Sequence, residues 1–167
     1  MNRELLLLRH GKSDWSFESN DFNRPLKKRG KKAALRVGEW LQRQNLVPDW
    51  IISSPALRAL QTTQKVCKAF KLKTGQLNLD ERIYQADVNQ LKNVLSECPV
   101  HAQRVLLVGH NPELEALLNY LADGIEMPED GKLMATATLA RLRMPEDWND
   151  LRLHCAELLS IMRAKAM

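Results

Sequence analysis

Leu5-Leu6-Leu7-Leu8-Arg9-His10-Gly11-Lys12-Ser13 is the stretch from which the fold is read. Four consecutive leucines stop at an Arg-His pair, and a glycine follows at once. A short apolar run bounded by turn chemistry predicts a strand buried on both faces. Strands of that kind belong to α/β sheets, where ligands bind beyond the carboxyl ends of the strands. Arg9 and His10 therefore stand where a site would be built, and Gly11 would leave space beside them.

Further strands follow at intervals. Trp50-Ile51-Ile52-Ser53 is a second buried strand, Gln76 to Leu79 a weaker third, and Arg104 to Val108 a clear fourth. Between them, amphipathic spacing predicts helices from about Leu26 to Gln44, Ala56 to Phe70 and Asn89 to Glu97, with another over Glu113 to Leu121. Ser54 suits the N-cap and Pro55 the first position of the second helix, and Asn111 and Pro112 suit the same places in the last. Ala135 to Met144 reads as a strand. The tail from Leu151 to about Ala164 has helical spacing at Leu151, Cys155, Leu158, Leu159 and Met162, with room for a break near His154. Strands alternating with helices predict a three-layer αβα sandwich around a mostly parallel sheet. With 167 residues and no linker or repeat, the whole chain, 1–167, is expected to form one domain.

Composition excludes several function classes. No apolar run is long enough to span a membrane, and the leucine run is too short for a signal-peptide core, so a cytoplasmic protein is expected. Cys67, Cys98 and Cys155 are odd in number and contain no CxxC pair, which argues against a disulfide framework and a zinc site. The net charge of +5 suits an anionic partner. The densest basic run, Lys27 to Lys32, passes directly into an amphipathic pattern, so it reads as a solvated first helical turn rather than a nucleic-acid face. Gly11-Lys12-Ser13 lacks the earlier glycine of a nucleotide-binding P-loop, since Leu6 stands there.

If the strands are parallel, four strand ends meet on one edge of the sheet. They bring Arg9 and His10, then Arg58 one turn into a helix, then Glu81, then His110 after Gly109. Two of the four histidines thus fall on converging tips, while His101 and His154 fall in a loop and the tail. Arginine forks match phosphate oxygens, and a neutral histidine is a competent nucleophile toward phosphorus. Phosphoryl transfer needs such a ring of donors around one nucleophile. The long polar segment from Lys12 to Arg24 has the length of a functional loop.

Leu8-Arg9-His10-Gly11, Ser53-Ser54-Pro55-Ala56-Leu57-Arg58-Ala59-Leu60-Gln61-Thr62 and Val108-Gly109-His110-Asn111-Pro112 resemble, in order, three motifs of the histidine phosphatase superfamily. The short length, the Arg24-Pro25-Leu26 segment with Gly30 after it, and the Gly-His-Asn-Pro version of the third motif resemble the small phosphohistidine phosphatases of the SixA type. The resemblance implies His10 as the nucleophile that is transiently phosphorylated, with Arg9, Arg58 and His110 holding the phosphoryl oxygens. The Asn111 amide would add a donor at a helix N-terminus, and Arg24 would reach the substrate from its loop. Leu79-Asp80-Glu81-Arg82-Ile83-Tyr84 resembles the phosphoglycerate mutase segment that carries the acid, which points to Glu81; Asp21 is the rival. Neither a cofactor nor a metal is expected, because Arg9 and Arg58 would repel a divalent cation. The expected partner is a phosphorylated protein bearing phosphohistidine, acted on by a monomer without nucleic acid or membrane. A small phosphate ester is the alternative substrate, and a phosphoprotein-binding module without turnover is the alternative of another class.

Overall fold

The four leucines divide by parity between two cores. Leu5 and Leu7 pack among Leu91, Leu95, Leu114 and Leu118, whereas Leu6 and Leu8 pack among Ala34, Val37, Leu41 and Val66. Alternate side chains of a strand point to opposite faces, so a strand with no polar position must be covered on both. All four leucines are fully buried, each worth roughly 1.5–3 kcal/mol of transfer free energy.

The computed structural model describes residues 3–16, 18–72 and 76–167. Residue 17, inside the polar segment, and residues 1, 2 and 73–75 lie outside that description. The chain runs β1 (Arg3–Arg9), α1 (Lys28–Arg43), β2 (Trp50–Ser53), α2 (Leu57–Phe70), β3 (Leu77–Leu79), α3 (Val88–Ser96), β4 (Arg104–Gly109), α4 (Glu113–Leu121), β5 (Thr138–Met144) and β6 (Glu157–Arg163). The six strands form one sheet in the order β3-β2-β4-β1-β5-β6. The first four are mutually parallel, and β5 runs antiparallel to both its neighbours, β1 and β6, giving the mostly parallel αβα sandwich expected. Helices α1 and α2 cover one face, α3 and α4 the other. Across the sheet, Glu4 of β1 accepts from Arg104 of β4 and Arg141 of β5, tying the three central strands together. No helix among the described residues is long and apolar enough to cross a membrane.

The tail departs from expectation. Leu158, Leu159 and Met162 belong to β6, which pairs antiparallel with β5, while Leu151 and Cys155 precede it on either side of His154, whose φ is +57°. Leu158 pairs with Leu142 and Ser160 with Arg141, so Leu159 is the extra residue of a β-bulge. The extra residue places Leu158 and Ile161, three apart, over the same core. A bulged strand thereby imitates the period of a helix.

Two cap assignments also change. The N-cap of α2 is Ala56 and that of α4 is Pro112, neither with a side-chain cap bond. Ser54 and Asn111 have other partners, described below. Gly11 is required by the fold itself. A Cβ there would lie 2.7 Å from the Gly30 carbonyl, and one on Gly30 would lie 2.3 Å from the Lys12 carbonyl. The tip of β1 and the first turn of α1 touch backbone to backbone.

Candidate active site

The parallel register delivers the strand tips together. Arg9 of β1 is paired with Gly109 of β4, and the His10 amide donates to the Gly109 carbonyl at 3.2 Å. Ser53 of β2 pairs with Val108, and the Ser54 amide donates to the Val108 carbonyl at 3.0 Å. His10 and His110 consequently face each other with ring centroids 5.3 Å apart. One cavity of about 490 Å³ is lined by both histidines together with Arg9, Arg24, Arg58 and Asp21, and Asn111 also borders it.

The polar residues of α2 hold this arrangement. Thr62 Oγ1 accepts from the Gly11 amide at 3.1 Å and donates to the Arg58 carbonyl at 2.8 Å. Gln61 Oε1 accepts from the Leu26 amide at 2.8 Å, anchoring the far end of the polar loop. That loop is closed at its base by a bridge between Ser13 and Leu26. It carries Asp21, Arg24 and the exposed Trp15, whose ring lies 3.5 Å from the Arg24 guanidinium carbon.

His10 Nδ1 is 2.7 Å from the Gly11 carbonyl oxygen, an acceptor only, so Nδ1 carries the proton and Nε2 keeps its lone pair. Burial pushes the His10 imidazole down to about 3, with the nearby His110, Arg58 and Arg9 adding to the shift against the opposing Gly11 bond. His110 Nε2 lies 2.8 Å from Ser54 Oγ, which itself accepts from the Ala56 amide at 3.2 Å. With one lone pair filled by the Ala56 amide, the Ser54 hydroxyl hydrogen is free to donate to Nε2, and in that arrangement neutral His110 carries its proton on Nδ1. Nδ1 is buried without a partner among the described residues, as are the Nε atoms of Arg9 and Arg58. Burial, followed by Arg58, lowers the His110 imidazole to about 4. The cavity therefore holds one lone pair and several unspent donors, the complement of a phosphoryl group in line with a nucleophile.

Neutral buried imidazoles link stability to pH. Below the ordinary value of 6.5 the unfolded chain binds protons that folded His10 and His110 refuse. Their contribution is complete above that value and is lost as pH falls toward the folded values. Each imidazole should cost roughly 2 kcal/mol by about pH 5. Thermal melts from about pH 7 to about pH 5 should show falling Tm, and His110→Gln should reduce that slope by roughly half. A flat profile would contradict the burial of both rings.

Asp21 is spent on structure. Its Oδ2 accepts from Arg58 Nη2 at 3.1 Å and from the Tyr84 hydroxyl at 2.6 Å, and its Oδ1 pairs with Arg24 at 2.9 Å. Its carbonyl accepts from Arg58 Nη1 at 2.6 Å. The Tyr84 bond, with Arg58 and Arg24 beside it, holds the carboxyl down to about 2. These partners favour the anionic form of Asp21 and tie its carboxylate to Arg58, Arg24 and Tyr84. Glu81 is displaced: it is exposed in a short 3-10 turn outside the cavity, and Tyr84 from the same segment faces the site instead, edge-on to His110 at 5.7 Å.

Asn111 donates through Nδ2 to the Met134 carbonyl at 2.7 Å and to Glu115 at 3.1 Å, bracing the wall that also receives Arg9 Nη1 on Met134. Sequence reasoning passed over Glu113 as a site residue because it reads as an ordinary acidic first turn. It lines the cavity, and its Oε2 is buried with no partner among the described residues. Burial pushes the Cys67 thiol up to about 11 and Cys98 up to about 12, so neither is poised as a nucleophile.

The sequence profile of the histidine phosphatase superfamily (branch 1) matches residues 5–98, more than half of the chain and including His10 and Arg58. The chain belongs to that superfamily. It is similar over 98% of its length and 96% of the other to a protein described as a candidate phosphohistidine phosphatase SixA from Nakamurella multipartitia, at 27% identity and a TM-score of 0.82. It shares its fold with the protein histidine phosphatase SixA complexed with tungstate (22% identity, 98% of both chains, TM-score 0.81). It also shares it with the mycobacterial glucosyl-3-phosphoglycerate phosphatase Rv2419c (18% identity, 95% and 98% of the two chains, TM-score 0.68).

Proposed function

We propose that this chain hydrolyses phosphohistidine on a protein, through a phosphoenzyme formed at His10 and without a metal. The observation that carries the reading is the His10 Nδ1 bond to the Gly11 carbonyl, which aims an unprotonated Nε2 into a cavity lined by Arg9, Arg58 and His110. Nε2 attacks phosphorus while the bond from phosphorus to the leaving imidazole breaks. Arg9, Arg58 and His110 Nδ1 take up the charge on the equatorial oxygens. The leaving nitrogen collects a proton from Glu113, the carboxyl in the cavity not tied to arginines. Water then attacks the phosphoryl-His10, returns a proton to Glu113, and releases inorganic phosphate with free His10.

A protein substrate is favoured by the likeness to the SixA-type protein over nearly the whole of both chains. The cationic lining disfavours a divalent ion. The likeness in fold to a glucosyl-3-phosphoglycerate phosphatase keeps a small phosphate ester as the second reading.

Leaving groups separate the two. A protonated imidazole departs easily, whereas an alkoxide needs a positioned acid. With chelator present throughout, wild type should hydrolyse a phosphohistidine-bearing protein domain at least about 10²-fold more efficiently than an alkyl phosphate. Glu113→Gln should lose roughly 10²-fold or more on the alkyl ester and far less on phosphohistidine. Preference for the ester would favour the small-molecule reading, and equal losses on both would remove Glu113 as the donor. Absence of turnover on every phosphorylated substrate would favour a binding module.

A further inference from the structure

We infer that a basic track leading away from the catalytic cavity is the docking surface for an acidic segment of the phosphoprotein substrate; the inference rests on the protein-substrate reading above. Beyond Arg9 the cavity continues into a depression of about 300 Å³ bordered by Lys12, Asn111, Lys132 and Thr136. A third, of about 520 Å³, follows between Lys12, Arg29, Lys132, Arg163 and Lys165. Lys12 and Thr136 border all three, so the hollows form one path from His10 to the C-terminal end of the sheet.

The charges along this path are unspent. Lys12, Arg29, Lys132 and Lys165 are exposed, and none forms an ion pair among the described residues. The carboxylates beside them are engaged. Asp130 accepts both nitrogens of Arg163, at 2.6 and 2.9 Å, and Glu115 accepts from the Met134 amide and Asn111. Arg163 also donates to the Lys132 carbonyl at 2.9 Å, which pins the turn carrying Lys132 to β6. The wall is thus prearranged while its exposed ammonium groups stand outside any ion pair among the described residues, a geometry that steers and orients an acidic partner.

An acidic polypeptide fits better than a nucleic acid. Among the described residues no aromatic side chain borders the second or third hollow, so bases find no stacking platform from them. Because the path opens from the cavity, the chain flanking a phosphorylated residue held against His10 would lie along it.

The test is the double variant Lys132→Glu/Lys165→Glu, at two positions outside the catalytic cavity. For a phosphohistidine-bearing domain with an acidic surface, kcat/KM should fall at least about 10-fold, mainly through KM, and its salt dependence should flatten. For free phosphohistidine and an aryl phosphate, kcat/KM should stay within about 2-fold. Equal losses on all substrates, or none on the protein, would overturn the inference. A second arm measures fluorescence anisotropy of a labelled acidic peptide and a single-stranded oligonucleotide of equal charge. Wild type should bind the peptide more tightly, and the variant should lose that binding. Oligonucleotide preference, or unchanged peptide binding in the variant, would sink the docking surface. Failure of wild type to hydrolyse any phosphohistidine would instead sink the substrate reading, which this binding arm does not use.

Discussion

His10→Ala is expected to abolish turnover, with kcat falling by on the order of 10⁴-fold or more on every substrate the wild type accepts. Two histidines face each other in the cavity, and their hydrogen bonds assign them different work. His10 has its proton fixed on Nδ1 by a carbonyl, whereas Nε2 of His110 is occupied by the Ser54 hydroxyl. His110 is therefore a donor and cannot stand in as nucleophile without losing its serine. Rapid quench with a radiolabelled phosphoryl substrate should trap an acid-labile, base-stable label on wild type and none on His10→Ala. Label mapped to His110, or residual activity above about 1% of wild type, would reverse the assignment. The variant should remain folded, because the His10 amide keeps its bond to the Gly109 carbonyl.

Arg58→Ala should cost roughly 10²–10³ in kcat/KM, the range for losing one preorganised donor to a developing oxyanion. Arg58 is only 6% exposed, and its terminal nitrogens both reach Asp21, one at the carbonyl and one at the carboxylate. In the proposed reaction its guanidinium would face the phosphoryl group while it holds the polar loop through Asp21. Arg58→Lys should recover little, since a single ammonium cannot hold the Asp21 carbonyl and carboxylate and still present a planar fork. Recovery to half of wild-type activity by the lysine would show that charge alone suffices. Hydrogen exchange should quicken across the loop in both variants, with β1 and β4 unchanged.

The strand tips were legible because parallel buried strands announce themselves as apolar runs, and because a buried run that stops at Arg-His or Gly-His leaves few other readings. Contacts made across the fold were not legible. Gly11 reads as ligand space until the Gly30 carbonyl is found against it. Ser54 reads as a cap, yet it sets the tautomer of His110. Glu81 reads as the acid by analogy, but the 3-10 turn exposes it and brings Tyr84 inward, three residues on. The tail misleads because a bulge at Leu159 changes the period of β6 from two to three. Apart from Glu81, whose turn is capped locally by Asp80, each failure involves a pairing that residues distant in the chain supply.

The base of the polar loop has one more consequence. The Lys27 amide bonds to the Lys12 carbonyl and the Asp14 amide to the Pro25 carbonyl, each at 2.8 Å, so the loop leaves and rejoins the body through a two-rung clasp. Its tip contributes Asp21 and Arg24, whereas the nucleophile, its tautomer and the facing histidine all depend on the sheet and α2. The molecule is split into a fixed reaction chamber and an exchangeable cassette. Substitutions that spare Asp21 leave the contacts of the sheet and α2 in place, whereas a change at Asp21 reaches Arg58 directly.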